Sequence, residues 1–358
     1  MIIARVETFL LQAPFTGVRR TQIDSASATD MAMLQVRLTT RDGLVGWGEA
    51  FGHGCCPATR SAIETLVAPA LIGEDARDVN ALSQRLQRRF HLFGRSGPVR
   101  YALAGIDIAL WDLAGKEAGL PLYRLLGGRP RQNVLAYASL ERYGARDALV
   151  GACRRAVDEG YRAIKLHEVE LDLIRAARDA VGPHFTLMAD TNCPWTAEEA
   201  RDNARSLADC QLRWLEEPVW PPEDFESIAA VRATGAKIAA GENMSGLLEF
   251  RAFFEARALD VAQPSVAKIG ITDTLKVIAL AEAFGVTVVP HCAYFGSGYL
   301  AALHVVAAMP GDILFERLFL NMPESPFAPF STAKGGSIAV PQGPGLGCDP
   351  APEWIARG

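Results

Sequence analysis

Short apolar runs, each followed by an amphipathic stretch, repeat through most of the chain. Eight of them follow Gly127-Gly128: VLAYAS, YRAIKLH, FTLMAD, RWLEEP, KIAAGE, LDVAQPS, VTVVPH and ILFERL. Strands that alternate with helices pair in parallel, and eight such units close naturally into a TIM barrel. A doubly wound sheet is the alternative, but it normally has a glycine-rich turn after its first strand, and no GxGxxG follows VLAYAS. The pattern therefore predicts an α/β barrel over residues 126–320.

Residues 1–125 have a different pattern, which predicts a separate α+β module. Two alternating runs, MLQVRLTT and LVGWGEA, flank the turn signal Arg41-Asp42-Gly43 and indicate a hairpin. From about Ala58 the apolar spacing becomes helical, and GIDIALWDLAGKEAG keeps that spacing until Gly119. Residues 321–358 are rich in proline and glycine, and we expect them to fold back on this first module.

Polar residues interrupt the apolar runs at or near their carboxyl ends, at intervals of about 25 residues. In a barrel these strand ends converge on the mouth where active sites are built. The spacing therefore predicts that seven side chains surround one cavity: Lys165, Asp190, Glu216, Glu242, Ser265, His291 and Glu316.

Three of these residues, Asp190, Glu216 and Glu242, are carboxylates on successive predicted strands. Any one alone is readily explained as a solvated strand end or a surface ion pair. Three converging on a mouth of low dielectric would repel one another unless a cation neutralised them. Oxygen ligands favour Mg2+ or Mn2+ over Zn2+. A Zn2+ amidohydrolase would need histidine ligands such as HxH on an early strand, and the sequence has none.

The segment Lys165-Leu166-His167 supplies a cation and a base on the same face of one strand. Lys165 can face the substrate carboxylate or the metal-binding carboxylates. His167, with an ordinary pKa near 6.5, is suited to take a proton next to a metal-bound carboxylate. His291 comes from the roughly opposite strand and could reach the other face of the substrate. Two such groups suit racemisation or epimerisation, or else dehydration, in which one of them protonates a leaving hydroxyl. A structural role is the alternative for each histidine.

Four side chains, two of them already in this group of seven, are expected near the substrate. Glu316 either binds the substrate carboxylate or pairs with Lys165, and Asn192 supports the metal, the substrate or Lys165. Lys268 is a candidate near the mouth, or else an ordinary surface lysine. Ser265 could orient a neighbouring group or bind a substrate hydroxyl.

Composition narrows the class of partner. The formal net charge of -5 and a pI near 5.8 provide no basic field for nucleic acid or anionic lipid, and no apolar run approaches the length of a membrane span. Seven cysteines without CxxC spacing fit free thiols in a reducing compartment, so we expect a cytoplasmic protein. A small-molecule carboxylate is the expected partner.

The motifs resemble the enolase superfamily, and within it the mandelate racemase and muconate-lactonising branch. The similarity runs over nearly the whole chain, and its motifs are, in order, GWGEA, AGIDIALWDLAGKEAGLPLYRLLGG, KLH, MADTN, WLEEP, GEN, QPSVAKIGIT, PH and FERL. The resemblance implies a (β/α)7β modified barrel, a capping domain built from both chain ends, and Mg2+ on the three carboxylates. It also implies that cap loops, roughly Ala13–Asp30 and Phe51–Pro57, close over the substrate, and that the protein is a homo-oligomer, either a dimer or an octamer.

Two positions depart from the family pattern. His167 stands where the common KxK motif has its second lysine, and Ser265 stands where racemase-like members have an aspartate that pairs with the seventh-strand histidine. Without that partner His291 is a weaker base, which favours a dehydratase over a two-base racemase or epimerase. The leading hypothesis is a Mg2+-dependent hydro-lyase of a small hydroxylated carboxylic acid, such as an acid sugar or a hydroxylated amino or imino acid. The rival from another class is a non-catalytic binding protein on a retired enzyme barrel.

Overall fold

The computed structural model describes residues 1–19, 28–328 and 330–357. Part of the predicted cap loop, residues 20–27, lies outside the described residues. The described elements form an antiparallel sheet with helices near the amino terminus and a parallel barrel after it. No helix within the described ranges is both long enough and apolar enough to cross a membrane.

The cap contains a three-stranded sheet in the order β1-β2-β3 and helices that pack against it. The strands are β1 Ile3–Arg19, β2 Ala28–Thr40 and β3 Val45–Ala50, and the helices are α1 Cys56–Ala62, α2 Ala68–Leu71, α3 Val79–Arg89, α4 Gly97–Ala118 and α5 Leu122–Leu125. A 3-10 turn, His53–Cys55, and a π turn, Ile63–Val67, flank α1. The hairpin predicted around Asp42 is confirmed, because β2 and β3 pair antiparallel on either side of it.

The glycines of the GWGEA motif explain how the cap packs so closely. A Cβ atom added at Gly48 would lie 2.0 Å from the carbonyl oxygen of Gly105 on α4, and one added at Gly105 would lie 2.9 Å from the backbone nitrogen of Ala50. Only glycine allows the helix and the sheet backbones to approach this far.

The first cap segment is less of a loop than expected. Strand pairing continues through Pro14 opposite Asp30, and β1 extends to Arg19. The reason is burial, because alternate residues of these arms, such as Ala13 and Met31, pack into the same hydrophobic core as the barrel.

The barrel confirms the predicted (β/α)7β order. Its strands are β4 Asn133–Ser139, β5 Ala163–Leu166, β6 Thr186–Asp190, β7 Leu215–Glu216, β8 Ile238–Ala240, β9 Val261–Ala262, β10 Thr287–Val288 and β11 Phe315–Leu318. The intervening helices are α6 Arg146–Asp158, α7 Leu171–Val181, α8 Ala197–Ser206, α9 Phe225–Arg232, α10 Leu247–Glu255, α11 Val266–Phe284 and α12 Ser297–Ala308, with a 3-10 turn at Ala208–Cys210. Adjacent strands pair in parallel, with β4 beside both β5 and β11.

The inside of the barrel changes from apolar to polar towards its mouth. A small interior cluster consists of Tyr137, Ala163, Met188, Trp214, Ala239, Val261 and Val289. Side chains two residues apart on a strand share a face, so the next inward positions include Lys165, Asp190, Glu216 and His291. Strand periodicity thus places the candidate site directly above this cluster.

The carboxyl-terminal segment contacts both the cap and the barrel. Strand β12, Ser337–Ala339, pairs antiparallel with β4, and helix α13, Pro352–Ile355, follows. Towards the cap, Leu346 donates its backbone N–H to Asp112 of α4 at 2.7 Å. The division into residues 1–125, 126–320 and 321–358 stays a prediction.

Candidate active site

Three acidic side chains meet at the mouth of the barrel. Asp190 and Glu216 end strands β6 and β7, and Glu242 follows β8. One carboxylate oxygen from each lies within 4.8 Å of the others. Two unit charges at that separation repel by roughly 3.5 kcal/mol at an effective dielectric of about 20. The donor set, three carboxylates facing one point, fits a hard divalent cation such as Mg2+.

Lys165 lies fully buried among these acids. Its Nζ is 3.2 Å from Asp190 Oδ2, 2.6 Å from Glu216 Oε1 and 2.8 Å from Glu316 Oε1. One ammonium group faces several carboxylates, so the cluster, with Glu242, keeps an excess of negative charge. Of the two alternatives for Glu316, the geometry shows the pairing with Lys165.

The protonation preferences of the triad are unequal. Burial raises the pKa of Glu216 well above its ordinary value, and nearby Asp190 adds to this rise. Burial also opposes ionisation of Asp190, but Lys165 and His167 together outweigh it and lower the Asp190 pKa. At Glu242 burial is outweighed by His291 and Lys268, so its pKa lies well below the ordinary value. Of the three carboxyl groups, Glu216 therefore has the strongest tendency to keep a proton, and binding of a metal ion would oppose this.

His167 is held in one tautomer. Its Nδ1 lies 2.5 Å from the carbonyl oxygen of Leu140, and since a carbonyl only accepts, Nδ1 carries the hydrogen. The other nitrogen, Nε2, faces Asp190 Oδ2 at 3.3 Å. Burial lowers the His167 pKa, but the hydrogen bond and the negative charge of Asp190 together outweigh it and raise the pKa above its ordinary value. His167 thus directs Nε2, and not Nδ1, towards the acidic triad.

His291 contacts a different carboxylate of the triad. Its Nε2 is 2.7 Å from Glu242 Oε2, whereas the buried Nδ1 has no hydrogen-bond partner among the residues the structure describes. Ser265 directs its hydroxyl to the Tyr294 hydroxyl, 3.5 Å away. The two histidines therefore stand at two separate carboxylates, Asp190 and Glu242.

Lys268 lies at the junction of cap and barrel. Its Nζ is 3.9 Å from Glu242 Oε1 and 4.6 Å from the centre of the Phe51 ring. The backbone N–H of Phe51 donates to the carbonyl of Ala267 at 3.1 Å, which fixes the cap segment against the barrel. The Phe51 ring also meets the Tyr101 ring edge-on at 5.1 Å. This cation is nearly buried beside the triad, so it is not an ordinary surface lysine.

Asn192 lies beside the site, and its side chain contacts Arg142 rather than Lys165. Its Oδ1 accepts from Arg142 Nη2 at 3.4 Å, and its backbone N–H donates to Asp190 Oδ1 at 2.9 Å. Arg142 also donates to the backbone carbonyl of His167 at 2.6 Å. The support for this side of the site is thus an arginine from the loop after β4.

Sequence reasoning missed several residues of the site. Trp214 donates its indole N–H to Glu216 Oε2 at 2.8 Å, and its position two residues before Glu216 was the available signal. Arg142 and Tyr294 carry no comparable signal, because their contacts depend on loop paths. Phe51 was anticipated only as the start of a predicted cap loop.

The fold and site together define a class: a barrel enzyme with an acidic metal centre flanked by two histidines. Comparison with known proteins gives the family. The model described as Mandelate racemase / muconate lactonizing enzyme, N-terminal domain matches residues 6–127, and the model described as Enolase C-terminal domain-like matches residues 148–354. The chain belongs to this family, and the resemblance inferred from its motifs is confirmed.

Individual relatives cover nearly the whole molecule. A D-galactarolactone cycloisomerase from Agrobacterium fabrum is 34% identical over 375 positions, covering 98% of this chain and 96% of its own. A D-galactonate dehydratase from Ralstonia nicotianae is 34% identical over 344 positions, covering 88% and 87%. A racemase structure from Streptomyces coelicolor with bound magnesium superposes with a TM-score of 0.89 at 31% identity, covering 99% of both chains.

Proposed function

We propose that this protein is a Mg2+-dependent hydro-lyase that removes the α-proton of a hydroxylated carboxylic acid of the sugar-acid class. The observation that carries the proposal is the joint geometry of the acidic triad and His167, whose Nε2 faces the site while Nδ1 is tied to Leu140. The family contains named dehydratases of aldonic acids, including D-galactonate dehydratase.

Asp190, Glu216 and Glu242 would hold the ion, and Mn2+ suits the same oxygen ligands. When bound, Mg2+ supplies Lewis-acid stabilisation of the negative charge that develops on the substrate carboxylate as the α-proton leaves. Lys165 adds a fixed positive charge beside the same carboxylates.

The two histidines divide the proton transfers. His167 Nε2 accepts the α-proton, and a proton on His291 Nε2 is transferred to the β-hydroxyl as its C–O bond breaks, so that water leaves. The remaining enol takes a proton on carbon and becomes a 2-keto acid. Lys268, Glu316, Asn192 and Ser265 are the proposed substrate-side groups, with Lys268 the most direct candidate because its ammonium lies beside Glu242.

A cycloisomerase activity is the second candidate, because a near full-length relative is a D-galactarolactone cycloisomerase. Such a reaction on a ring-containing acid also begins with loss of the α-proton. A ring oxygen then replaces the hydroxyl as the β leaving group, and no water is released. The same His167 and His291 would serve both reactions.

A substrate panel tests the proposal. The Mg2+-loaded protein is incubated with D-galactonate, D-gluconate, D-xylonate, arabinonate and galactarolactone in D2O, and products are followed by NMR and by semicarbazone formation. We expect a 2-keto acid from at least one open-chain acid, and none with Glu242→Gln. Ring opening of the lactone alone would support the cycloisomerase. Deuterium incorporation with stereochemical loss but no elimination would support a racemase or epimerase. A panel without any change would support a binding protein.

We also propose that the protein is a cytoplasmic homo-oligomer, a dimer or an octamer. All seven cysteines are free thiols, which suits a reducing compartment. Light scattering of the purified protein tests the oligomer, and a monomer at micromolar concentration would contradict it.

A further inference from the structure

The seventh-strand histidine is held in an unusual way. Racemase-like members of the family have an aspartate at the position of Ser265, and it pairs with the seventh-strand histidine. Here the buried Nδ1 of His291 has no hydrogen-bond partner among the described residues. His291 nevertheless stays close to Glu242, at 2.7 Å from Nε2 to Oε2. Something other than a bond to Nδ1 must fix the ring.

Tyr294 occupies the gap between the two strand ends. Its side chain is buried, and its hydroxyl donates to the backbone carbonyl of His291 at 3.1 Å. The same oxygen accepts the backbone N–H of Ala267 at 3.2 Å and faces the Ser265 hydroxyl at 3.5 Å. The phenol of Tyr294 thus acts both as a donor and as an acceptor.

These bonds join the segment after β9 to the segment after β10. A parallel bridge already links Ser265 with His291, and the His291 N–H donates to the Pro264 carbonyl at 3.2 Å. Tyr294 adds a side-chain lock on the opposite backbone group of His291, its carbonyl. With both main-chain groups bonded, the backbone at His291 is held in place, and the contact of Nε2 with Glu242 completes the placement of the ring.

We propose that Tyr294 is the positioning residue of His291 and takes the place of the missing side-chain carboxylate. The inference rests on the proposed function, in which His291 delivers a proton to the leaving oxygen. Loss of the hydroxyl frees the His291 carbonyl and leaves the Ala267 N–H unpaired, so the ring shifts from its place at Glu242. A displacement of about 1 Å at a reacting group costs on the order of 100-fold in rate.

The variant Tyr294→Phe removes only the hydroxyl, and Tyr299→Phe is its matched control. Tyr299 is another buried tyrosine, five residues further on, and its hydroxyl has no hydrogen-bond partner within the described part of the chain. We expect Tyr299→Phe to keep the wild-type kcat and KM. For Tyr294→Phe we expect kcat for elimination to fall by about 10-fold to 100-fold while KM changes less than about threefold.

Proton exchange separates a positioning role from a general loss of structure. In D2O the α-proton step belongs to His167 and elimination needs His291. Tyr294→Phe is therefore expected to slow elimination at least about tenfold while α-deuterium exchange keeps its rate. The ratio of exchange to elimination then rises by the same factor. The double variant Ser265→Asp/Tyr294→Phe supplies a carboxylate next to His291 and should recover at least fivefold of the lost kcat, on the order of 1 kcal/mol.

A crystal structure of Tyr294→Phe provides the readout that does not depend on substrate. The proposal expects His291 Nε2 to leave Glu242, and this result would stand even if the panel showed no lyase activity. An unmoved His291, or an exchange-to-elimination ratio equal to that of Tyr299→Phe, overturns the role of Tyr294 while leaving the hydro-lyase proposal intact. If Tyr294→Phe does not fold, the same measurements are made on Ser265→Asp/Tyr294→Phe. A double variant in which His291 Nε2 does not return to Glu242 overturns the proposal.

Discussion

His304 on α12 should make the protein sensitive to mild acid. The imidazole is fully buried, and its Nδ1 accepts the backbone N–H of Tyr123 at 3.2 Å while its Nε2 donates to the Leu346 carbonyl at 3.1 Å. This ring thus ties the carboxyl-terminal segment to the barrel and to the end of the cap. Burial lowers its pKa from 6.5 to about 4. Protonation would place a second N–H against the Tyr123 N–H.

The size and sign of the effect follow from the pKa values. Above pH 6.5 the ring is neutral in both states, so it causes no pH dependence. As the pH falls below 6.5 the unfolded chain gains a proton that the folded protein refuses until about pH 4. The full loss of stability is about 3 kcal/mol, of which about 2 kcal/mol has developed at pH 5.

Urea unfolding of metal-free wild type and His304→Asn, followed by tryptophan fluorescence at several pH values, isolates this contribution. The variant loses a bond and is less stable at pH 7.5, but it cannot titrate. The stability advantage of the wild type should therefore shrink by about 2 kcal/mol between pH 7.5 and pH 5. If the stability advantage of the wild type is the same at pH 7.5 and at pH 5, the lowered His304 pKa in the folded protein is contradicted.

Two predictions concern the metal centre. Trp214→Phe removes the indole N–H that fixes Glu216, and it should weaken Mg2+ binding by about 10-fold to 100-fold in calorimetry. The control Trp111→Phe loses a hydrogen bond to Thr272 instead and should keep the wild-type affinity. Equal Mg2+ affinities of the two variants would contradict the role of Trp214. Because the Glu216 pKa is raised, Mg2+ binding should be accompanied by proton release, and affinity should rise with pH. Calorimetry in two buffers of different ionisation enthalpy measures this release, and none would show that Glu216 is already ionised.

The sequence was sufficient for the barrel and for the ring of polar residues at its mouth. Most of the strands carry an apolar inward residue followed two positions later by a polar one, as in Met188 and Asp190 or Val289 and His291. Strand β8 is an exception, because Gly241 stands two positions after Ala239 and Glu242 comes next. The two-residue period depends only on strand geometry, so the residues that face the barrel interior can be predicted without knowing the paths of the loops. Because the polar residues recur once in every βα unit, the closure of the barrel brings the carboxyl ends of the strands, and these residues with them, to one mouth.

Contacts that depend on loop paths were not accessible in this way. The tautomer of His167 depends on the Leu140 carbonyl, and the position of His291 depends on a tyrosine that follows it in an irregular segment. The extended pairing of β1 with β2 was also missed, since residues such as Ala13 are drawn into strands by packing on the barrel rather than by local propensity. Ser265 shows the same limit, because its substitution for aspartate predicted a missing partner but not the residue that replaces it.

The most direct test of the central claim is proton transfer by His167 at the acidic metal centre. With a substrate identified from the panel, NMR in D2O measures α-proton loss and 2-keto acid formation by wild type and His167→Gln, each with Mg2+ and with EDTA. The account predicts turnover only for wild type with Mg2+, with both α-proton loss and elimination reduced at least about 1,000-fold in His167→Gln. Wild-type turnover that persists in EDTA, or a His167→Gln enzyme that removes the α-proton at the wild-type rate, would contradict it.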